Sequence, residues 1–145
     1  MIRCLLVTTD HQVVVDDGLG RIHAPDIKWY FVDFNQPTEQ EKQQLISVFD
    51  FHPLALEDCF QYLQRPKLEY YDGYSFFVLH ALDTESLKGK EINLFVNENY
   101  VVSYHEQPSS EIDVVFQAFQ RLHDDSEHWT IEIVHKIMDK IVDGY

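Results

Sequence analysis

Residues 49–71, FDFHPLALEDCFQYLQRPKLEYY, form the segment around which the rest of the predicted fold is arranged. Pro53 suits the first turn of a helix, where its missing N–H is not needed, whereas Pro66 cannot continue a helix. The sequence therefore predicts a short helix between the two prolines. Because the residue before a proline is biased towards extended geometry, residues 67–71 are predicted to form the strand that follows.

The predicted helix has one apolar face and carries two adjacent carboxylates. Its apolar side chains recur at intervals of three and four residues, which places them on the buried side. They are Leu56, Cys59, Phe60 and Leu63. Glu57 and Asp58 lie outside this stripe. Hard cations such as Mg²⁺ prefer carboxylate oxygens, so this pair is a candidate for metal binding, although the pair alone is more typical of a solvated surface.

Size and composition indicate one domain with its own core. The chain has 145 residues, of which 45% are hydrophobic. Its apolar runs are far shorter than the roughly 20 residues that cross a bilayer, and no signal-peptide pattern opens it. We therefore expect a soluble domain. Cys4 and Cys59 are too few and too far apart for a CxxC motif, and we expect two buried, reduced thiols.

The net charge narrows the classes of partner. It is −14, from 25 acidic and 11 basic residues. Nucleic acid is excluded as a partner because phosphates require a basic face, and anionic lipid head groups would also repel this chain. Such a surface attracts cations, but the charge alone is explained as well by solubility.

The remaining patterns predict alternating strands and helices. Predicted strands cover residues 2–8, 12–15, 28–34, 67–71, 74–82, 91–96 and 100–104, the last two joined as a hairpin by residues 97–99. Thr38 and Glu41 form a capping box that starts a helix ending near Phe49. Ser109 or Ser110 starts another helix, and residues 126–127 start the last one. The predicted fold is α/β, a mixed sheet of about six or seven strands flanked by helices on both faces.

The last helix carries polar side chains opposite its predicted apolar stripe. The stripe consists of Val134, Ile137, Met138, Ile141, Val142 and Tyr145. His135, Asp139 and Asp143 lie on the other side at intervals of four residues. This face is a candidate for zinc binding, but it is more typical of the solvated side of an amphipathic helix. A weaker candidate of the same kind is the loop that contains His123, Asp124, Asp125 and His128.

The order of residues in the corner resembles that of the cytoplasmic domain of the CorA metal-ion transporters. The matching runs are HPLxLED at residues 52–58 and RPKxE at residues 65–69, followed by aromatic residues through Tyr74. A second match is IMDKIVDGY at residues 137–145, which is similar to the family's helix ending in Asp-x-(aliphatic)-Val-Asp-x-Tyr. The resemblance covers residues 49–145 well and the first 48 residues weakly.

The resemblance implies a regulatory domain of a transporter for divalent metal ions such as Mg²⁺ or Co²⁺. In that family the two acids of the Leu-Glu-Asp motif and the first Asp of the terminal motif lie at cation sites between subunits of a homopentamer. Here they correspond to Glu57, Asp58 and Asp139. The implied location is the cytoplasmic face of the cell membrane. Ions pass through two membrane helices that this sequence does not contain, so we expect one domain, residues 1–145, that ends before the stalk and membrane helices.

The resemblance also bears on how tightly metal binds. The family's remaining acidic partner lies on the long helix after this domain, so weak Mg²⁺ binding is expected here. Co²⁺ and other divalent cations are alternatives, because relatives that transport zinc share this type of domain.

Two other classes of function stay open. A metal-dependent hydrolase requires a cleft that gathers residues such as His52, Asp58 and His135. An interaction module requires no metal at all. Patterns typical of enzymes are missing from the sequence, including GxSxG and Gly-rich cofactor loops, so no catalytic residues are predicted. Arg65 and Lys67 form a basic pair that either contacts an acidic neighbour or flanks the turn.

Overall fold

The computed structural model describes residues 1–61, 65–82, 89–121 and 129–143, in which strands and helices alternate along the chain. The strands are β1 Ile2–Thr8, β2 Val13–Asp16, β3 Ile27–Asn35, β4 Lys67–Tyr71, β5 Tyr74–Leu82, β6 Gly89–Val96 and β7 Tyr100–His105. The helices are α1 Glu39–Val48, α2 Pro53–Phe60, α3 Ser110–Gln120 and α4 Trp129–Asp143. The predicted α/β fold is confirmed.

All seven of these strands form one mixed sheet in the order β2-β1-β3-β7-β6-β5-β4. Only β3 and β7 pair in parallel among them, and the other neighbours are antiparallel. The predicted hairpin joins β6 to β7. At its turn, Asn97 Oδ1 accepts hydrogen bonds from the N–H groups of Asn99 at 2.7 Å and Tyr100 at 3.0 Å. The Asn97 side chain thus provides hydrogen-bond acceptors for backbone N–H groups of the turn.

Side chains cap the helices where the sequence predicts their starts. In α1 the Glu41 N–H donates to Thr38 Oγ1 at 3.2 Å, and the Thr38 N–H donates to Glu41 Oε1 at 2.9 Å, which completes the capping box. In α2, Pro53 occupies the first turn and His52 is the N-cap. Ser109, rather than Ser110, caps α3. These caps satisfy backbone N–H groups that have no partner inside the helix.

The sheet separates two apolar cores, and alternating residues of each strand face opposite cores. On β1, Cys4 and Leu6 face one core, whereas Leu5 and Val7 face the other. Helices α1 and α2 cover the first face and are called the front layer. Helices α3 and α4 cover the second face and are called the back layer. Cys4 and Cys59 are buried free thiols, as predicted.

Several predicted details differ from the structure. Val142 was predicted in the buried stripe of α4, but 69% of it is exposed. The buried row of α4 runs through Ile133, Ile137 and Ile141, and the next residue is turned about 100° away from that row. Strand β6 begins at Gly89, two residues earlier than predicted. The predictions for Leu63, residues 126–127 and Tyr145 fall outside the described residues.

Candidate functional site

The α2 helix presents the two carboxylates of the Leu-Glu-Asp motif at the surface of the front layer. Its Leu56 and Cys59 are buried against the sheet. This orientation leaves Glu57 exposed, and the Asp58 side chain retains 20% of its exposure. The two carboxylates therefore project from one short helix, with Glu57 facing water and Asp58 lying nearer the protein surface.

Asp58 is paired with a cation from the neighbouring strand. The turn at Pro66 brings β4 back beside α2, so that Lys67 Nζ donates to Asp58 Oδ2 and also contacts Glu69 Oε1 at 2.8 Å. Hydrogen bonds to Asp58 and Glu69 raise the pKa of Lys67, so this residue remains an ammonium. The hydrogen bond from Lys67, reinforced by one from Tyr71, lowers the pKa of Glu69. Of the two predictions for Lys67, contact with an acidic neighbour is confirmed.

Asp139 lies in the opposite layer of the domain. It is exposed on α4, as are His135 and Asp143, whereas α2 is on the other side of the sheet. Glu57 and Asp58 therefore cannot share one ion with Asp139 of the same chain. Across the described ranges, no three His, Cys, Asp or Glu side chains are grouped so as to hold a metal ion. A single chain thus presents these carboxylates as two separate groups, one in each layer.

The cleft required by a metal-dependent hydrolase does not form from the residues considered. His52 Nδ1 accepts the N–H of Leu54 at 3.1 Å, and its ring stacks on Tyr71 in the front layer. Asp58 is held by Lys67, and His135 is in the back layer. The weaker candidate, the loop with His123, Asp124, Asp125 and His128, lies outside the described residues.

The structure contains a buried polar network that the sequence did not predict. Fully buried Asp33 accepts hydrogen bonds from Arg3 Nε at 2.8 Å and from Ser103 Oγ at 2.7 Å. His105 Nε2 lies 3.0 Å from Asp33 Oδ1, and its Nδ1 lies 2.6 Å from the carbonyl oxygen of Gln107. The only sequence signal is a charged residue in the middle of an apolar strand, which requires a partner but does not identify it.

The chemistry of this network is that of a buried ion pair. Burial lowers the pKa of His105, but the hydrogen bond and charge of Asp33 outweigh burial, and the net shift is upward. Because both ring nitrogens face acceptors, the geometry favours the imidazolium. The Ser103 hydroxyl donates to Asp33 rather than to His105, so the three residues do not have the order of a nucleophilic triad.

The fold is similar to those of two solved protein domains. The soluble domain of CorA from Methanocaldococcus jannaschii matches with a TM-score of 0.77 at 15% identity, over 100% of this chain and 57% of that chain. The ZntB cytoplasmic domain from Vibrio parahaemolyticus matches with a TM-score of 0.73 at 11% identity, over 98% of this chain and 57% of that chain. At these identities the likeness defines the fold.

The amino-acid sequence defines the family. The profile of the family described as CorA-like Mg²⁺ transporter protein matches residues 26–145, and the chain belongs to this family. A relative from Bacillus subtilis, named "Putative metal ion transporter YfjQ", is 42% identical over 145 residues, which are 100% of this chain and 46% of that protein. The chain thus spans about half the length of this relative. Among the helices of the described residues, none combines the length and apolar content needed to span a membrane.

Proposed function

We propose that this chain is the cation-sensing domain of a divalent metal-ion transporter and lies at the cytoplasmic face of the cell membrane. Mg²⁺ is the proposed regulatory ion, and Co²⁺ is an alternative. The observation that carries the proposal is the placement of exposed Glu57 and partly exposed Asp58 on the front layer and of exposed Asp139 on the back layer. These two groups, the proposed half-sites, meet only when the front of one copy faces the back of another.

A front-to-back contact also bears on the proposed assembly. Contacts between different surfaces of identical subunits are heterologous, and they close into rings when the rotation between subunits permits. A homopentameric ring would contain five such contacts, each with Glu57 and Asp58 from one copy and Asp139 from its neighbour. Membership of the CorA-like Mg²⁺ transporter family supports a cation as the ligand of these contacts.

Charge gives these contacts their dependence on metal. Two carboxylates that face each other at about 4 Å repel by roughly 4 kcal/mol at an effective dielectric constant near 20, before screening by salt. A divalent cation between them converts this repulsion into a bridge. When cytosolic Mg²⁺ falls, the sites empty and the contacts loosen, which shifts the population from a closed to an open assembly and thereby regulates gating.

Lys67 modifies this proposed switch. Its ammonium already neutralises part of the charge of Asp58, so an incoming cation competes with an internal one. Mg²⁺ keeps several water ligands and is commonly bound through only one or two carboxylates. Both facts favour weak binding to a single chain and stronger binding where a second copy contributes Asp139.

Sedimentation velocity tests the proposal. We expect MgCl₂ to shift the chain towards larger species, relative to NaCl of the same ionic strength. Asp58→Asn and Asp139→Asn should each remove the shift, whereas Glu98→Gln, which neutralises an exposed carboxylate at the β6–β7 turn, should keep it. Equal sedimentation in the two salts would contradict the proposal, as would an undiminished Mg²⁺ response in either Asn variant. The same titration with Co²⁺ and Zn²⁺ measures the ion preference.

A further inference from the structure

A cavity of about 70 Å³ lies between the front layer and the sheet. It is bounded by the end of α2, by β6 and by the segment after β7. Residues Cys59, Gln61, Glu91, Asn93 and Glu106 contribute to its wall. A cavity needs roughly 10–15 Å³ to hold one water molecule, so this one has room for an ion with part of its hydration shell.

The strand register builds the polar wall of the cavity. Glu91 and Asn93 are two residues apart on β6 and therefore project from the same face of the sheet, while Ile92 and Leu94 project into the back core. Asn93 is opposite Tyr104 on β7. The Tyr104 hydroxyl donates to Glu106 Oε1 at 3.0 Å, which holds the third oxygen-bearing side chain at the cavity.

A buried side-chain oxygen of Asn93 is independent evidence that the cavity holds a ligand. Only 2% of this residue is exposed, and its Oδ1 atom has no hydrogen-bond partner among the described residues. An unsatisfied buried acceptor destabilises a fold, and such atoms are rare in native proteins. A ligand that offers positive charge or a donor in the cavity would satisfy this oxygen.

The electrostatics of the cavity favour a cation. The Glu91 side chain is 9% exposed, and the last turn of α2, whose end borders the cavity, contains no basic residue. The C-terminal end of a helix is its negative end. His80 Nε2 lies 3.8 Å from Glu91 Oε2. Lys42 Nζ lies 3.3 Å from Glu106 and 3.3 Å from Glu39. It contacts the more exposed of the two cavity carboxylates.

The donor atoms distinguish hard from soft cations. The cavity wall offers one sulfur atom, that of buried Cys59, against several carboxylate and amide oxygens. Soft metal ions prefer sulfur ligands, and one sulfur among oxygens does not select them. The remaining donors are carboxylate and amide oxygens, which suit Mg²⁺ and Mn²⁺.

We propose that this cavity binds one partly hydrated hard divalent cation through the carboxylates of Glu91 and Glu106 and the Oδ1 atom of Asn93. Water completes the coordination, as is usual for Mg²⁺, which explains how the site functions without three grouped acidic or histidine ligands. All three protein ligands come from one chain. This site is therefore distinct from the shared half-sites of the proposed function and binds its ion in a single copy.

Paramagnetic broadening by Mn²⁺ tests this site in the ¹⁵N-labelled 145-residue chain, at a concentration where it sediments as single copies. Substoichiometric Mn²⁺ should first broaden the side-chain amide of Asn93 and the backbone amides of Glu91 and Glu106. Excess Mg²⁺ should restore these signals. Glu91→Gln should weaken Mn²⁺ binding at least roughly tenfold, the order of loss seen even for groups that only support a metal ligand.

Two further variants make the test decisive. Glu106→Gln should also weaken Mn²⁺ binding. Because the Glu106 side chain is more exposed than that of Glu91, this variant should disturb folding less than Glu91→Gln does. Asp58→Asn removes a half-site carboxylate and should leave the cavity signals unchanged. Broadening confined to the exposed carboxylates would overturn the inference, and so would Mn²⁺ affinity unaltered in both Gln variants. A cavity that binds Mn²⁺ in a chain that fails to associate would refute the shared sites alone.

Discussion

Replacement of Asp33 by Asn would test whether the buried network of the back layer stabilises the domain as an ion pair. Asp33 is fully buried and contacts Arg3, Ser103 and His105. The substitution preserves the size of the side chain but removes the charge that balances Arg3 and His105. Breaking a buried ion pair by removing one partner costs about 3–5 kcal/mol. Because Asn can still accept one hydrogen bond, we expect a loss of about 3 kcal/mol.

The assay is urea unfolding at pH 7, followed by circular dichroism. With urea m-values of about 1–3 kcal/mol/M, a loss of 3 kcal/mol lowers the midpoint by about 1–3 M. Asp113→Asn is the matched control, because Asp113 contacts the same Arg3 at 2.6 Å but its side chain is 47% exposed. The control substitution should lower the free energy of unfolding by less than about 1 kcal/mol, as is usual for exposed ion pairs. Equal losses in the two variants would refute the reasoning.

The same network gives stability a defined dependence on pH. The pKa of His105 is higher in the folded chain than its ordinary value, so the folded state binds a proton that the unfolded state has released. The contribution of His105 is complete below about pH 6.5 and is lost as pH rises through the folded pKa. In the Asp33→Asn variant, burial lowers the pKa of His105 without an opposing carboxylate. The loss of stability with rising pH should therefore vanish or reverse. An unchanged pH profile in that variant would contradict the assignment.

The other predictions concern the front layer. Lys67→Gln removes the ammonium that competes with Mg²⁺ at Asp58. Because such an ion pair contributes roughly 1 kcal/mol, Mg²⁺ affinity measured by calorimetry should rise about fivefold, and weaker Mg²⁺ binding would contradict the competition. Thr38→Ala removes the N-cap of α1 and should cost about 1 kcal/mol in urea unfolding, and no measurable loss would argue against the cap. Phe95→Ala deletes a fully buried ring stacked on Phe51 at 4.0 Å and should cost about 3–5 kcal/mol, so a loss below 1 kcal/mol would disprove its place in the core.

Local patterns predicted the elements of this fold well. The capping box at Thr38 and Glu41 and the Pro53–Pro66 corner depend on contacts within a few residues, so they are visible in the sequence. The exposure of Val142 is a different case, because the apolar pattern of α4 is wider than the surface that the sheet offers it. The sequence records which side chains are apolar, whereas packing decides which of them are covered.

The candidate sites show where such reasoning ends. The family motif identified Glu57, Asp58 and Asp139, but only the layer order places them on opposite sides of the sheet. The contacts of Asp33 span 30 to 72 residues, and no local pattern specifies partners at such separations. The orphaned oxygen of Asn93 depends in the same way on how α2 packs over β6.

Mixing two variants that have each lost Mg²⁺-dependent association shows whether two copies share one binding site. Asp58→Asn chains lack part of the front half-site, and Asp139→Asn chains lack the back half-site. By itself, neither variant should therefore associate into larger species when Mg²⁺ is added. An equal mixture should regain Mg²⁺-dependent association, because about one contact in four then joins an intact front to an intact back by random pairing. A mixture that sediments in Mg²⁺ like either variant alone would contradict sites shared between copies.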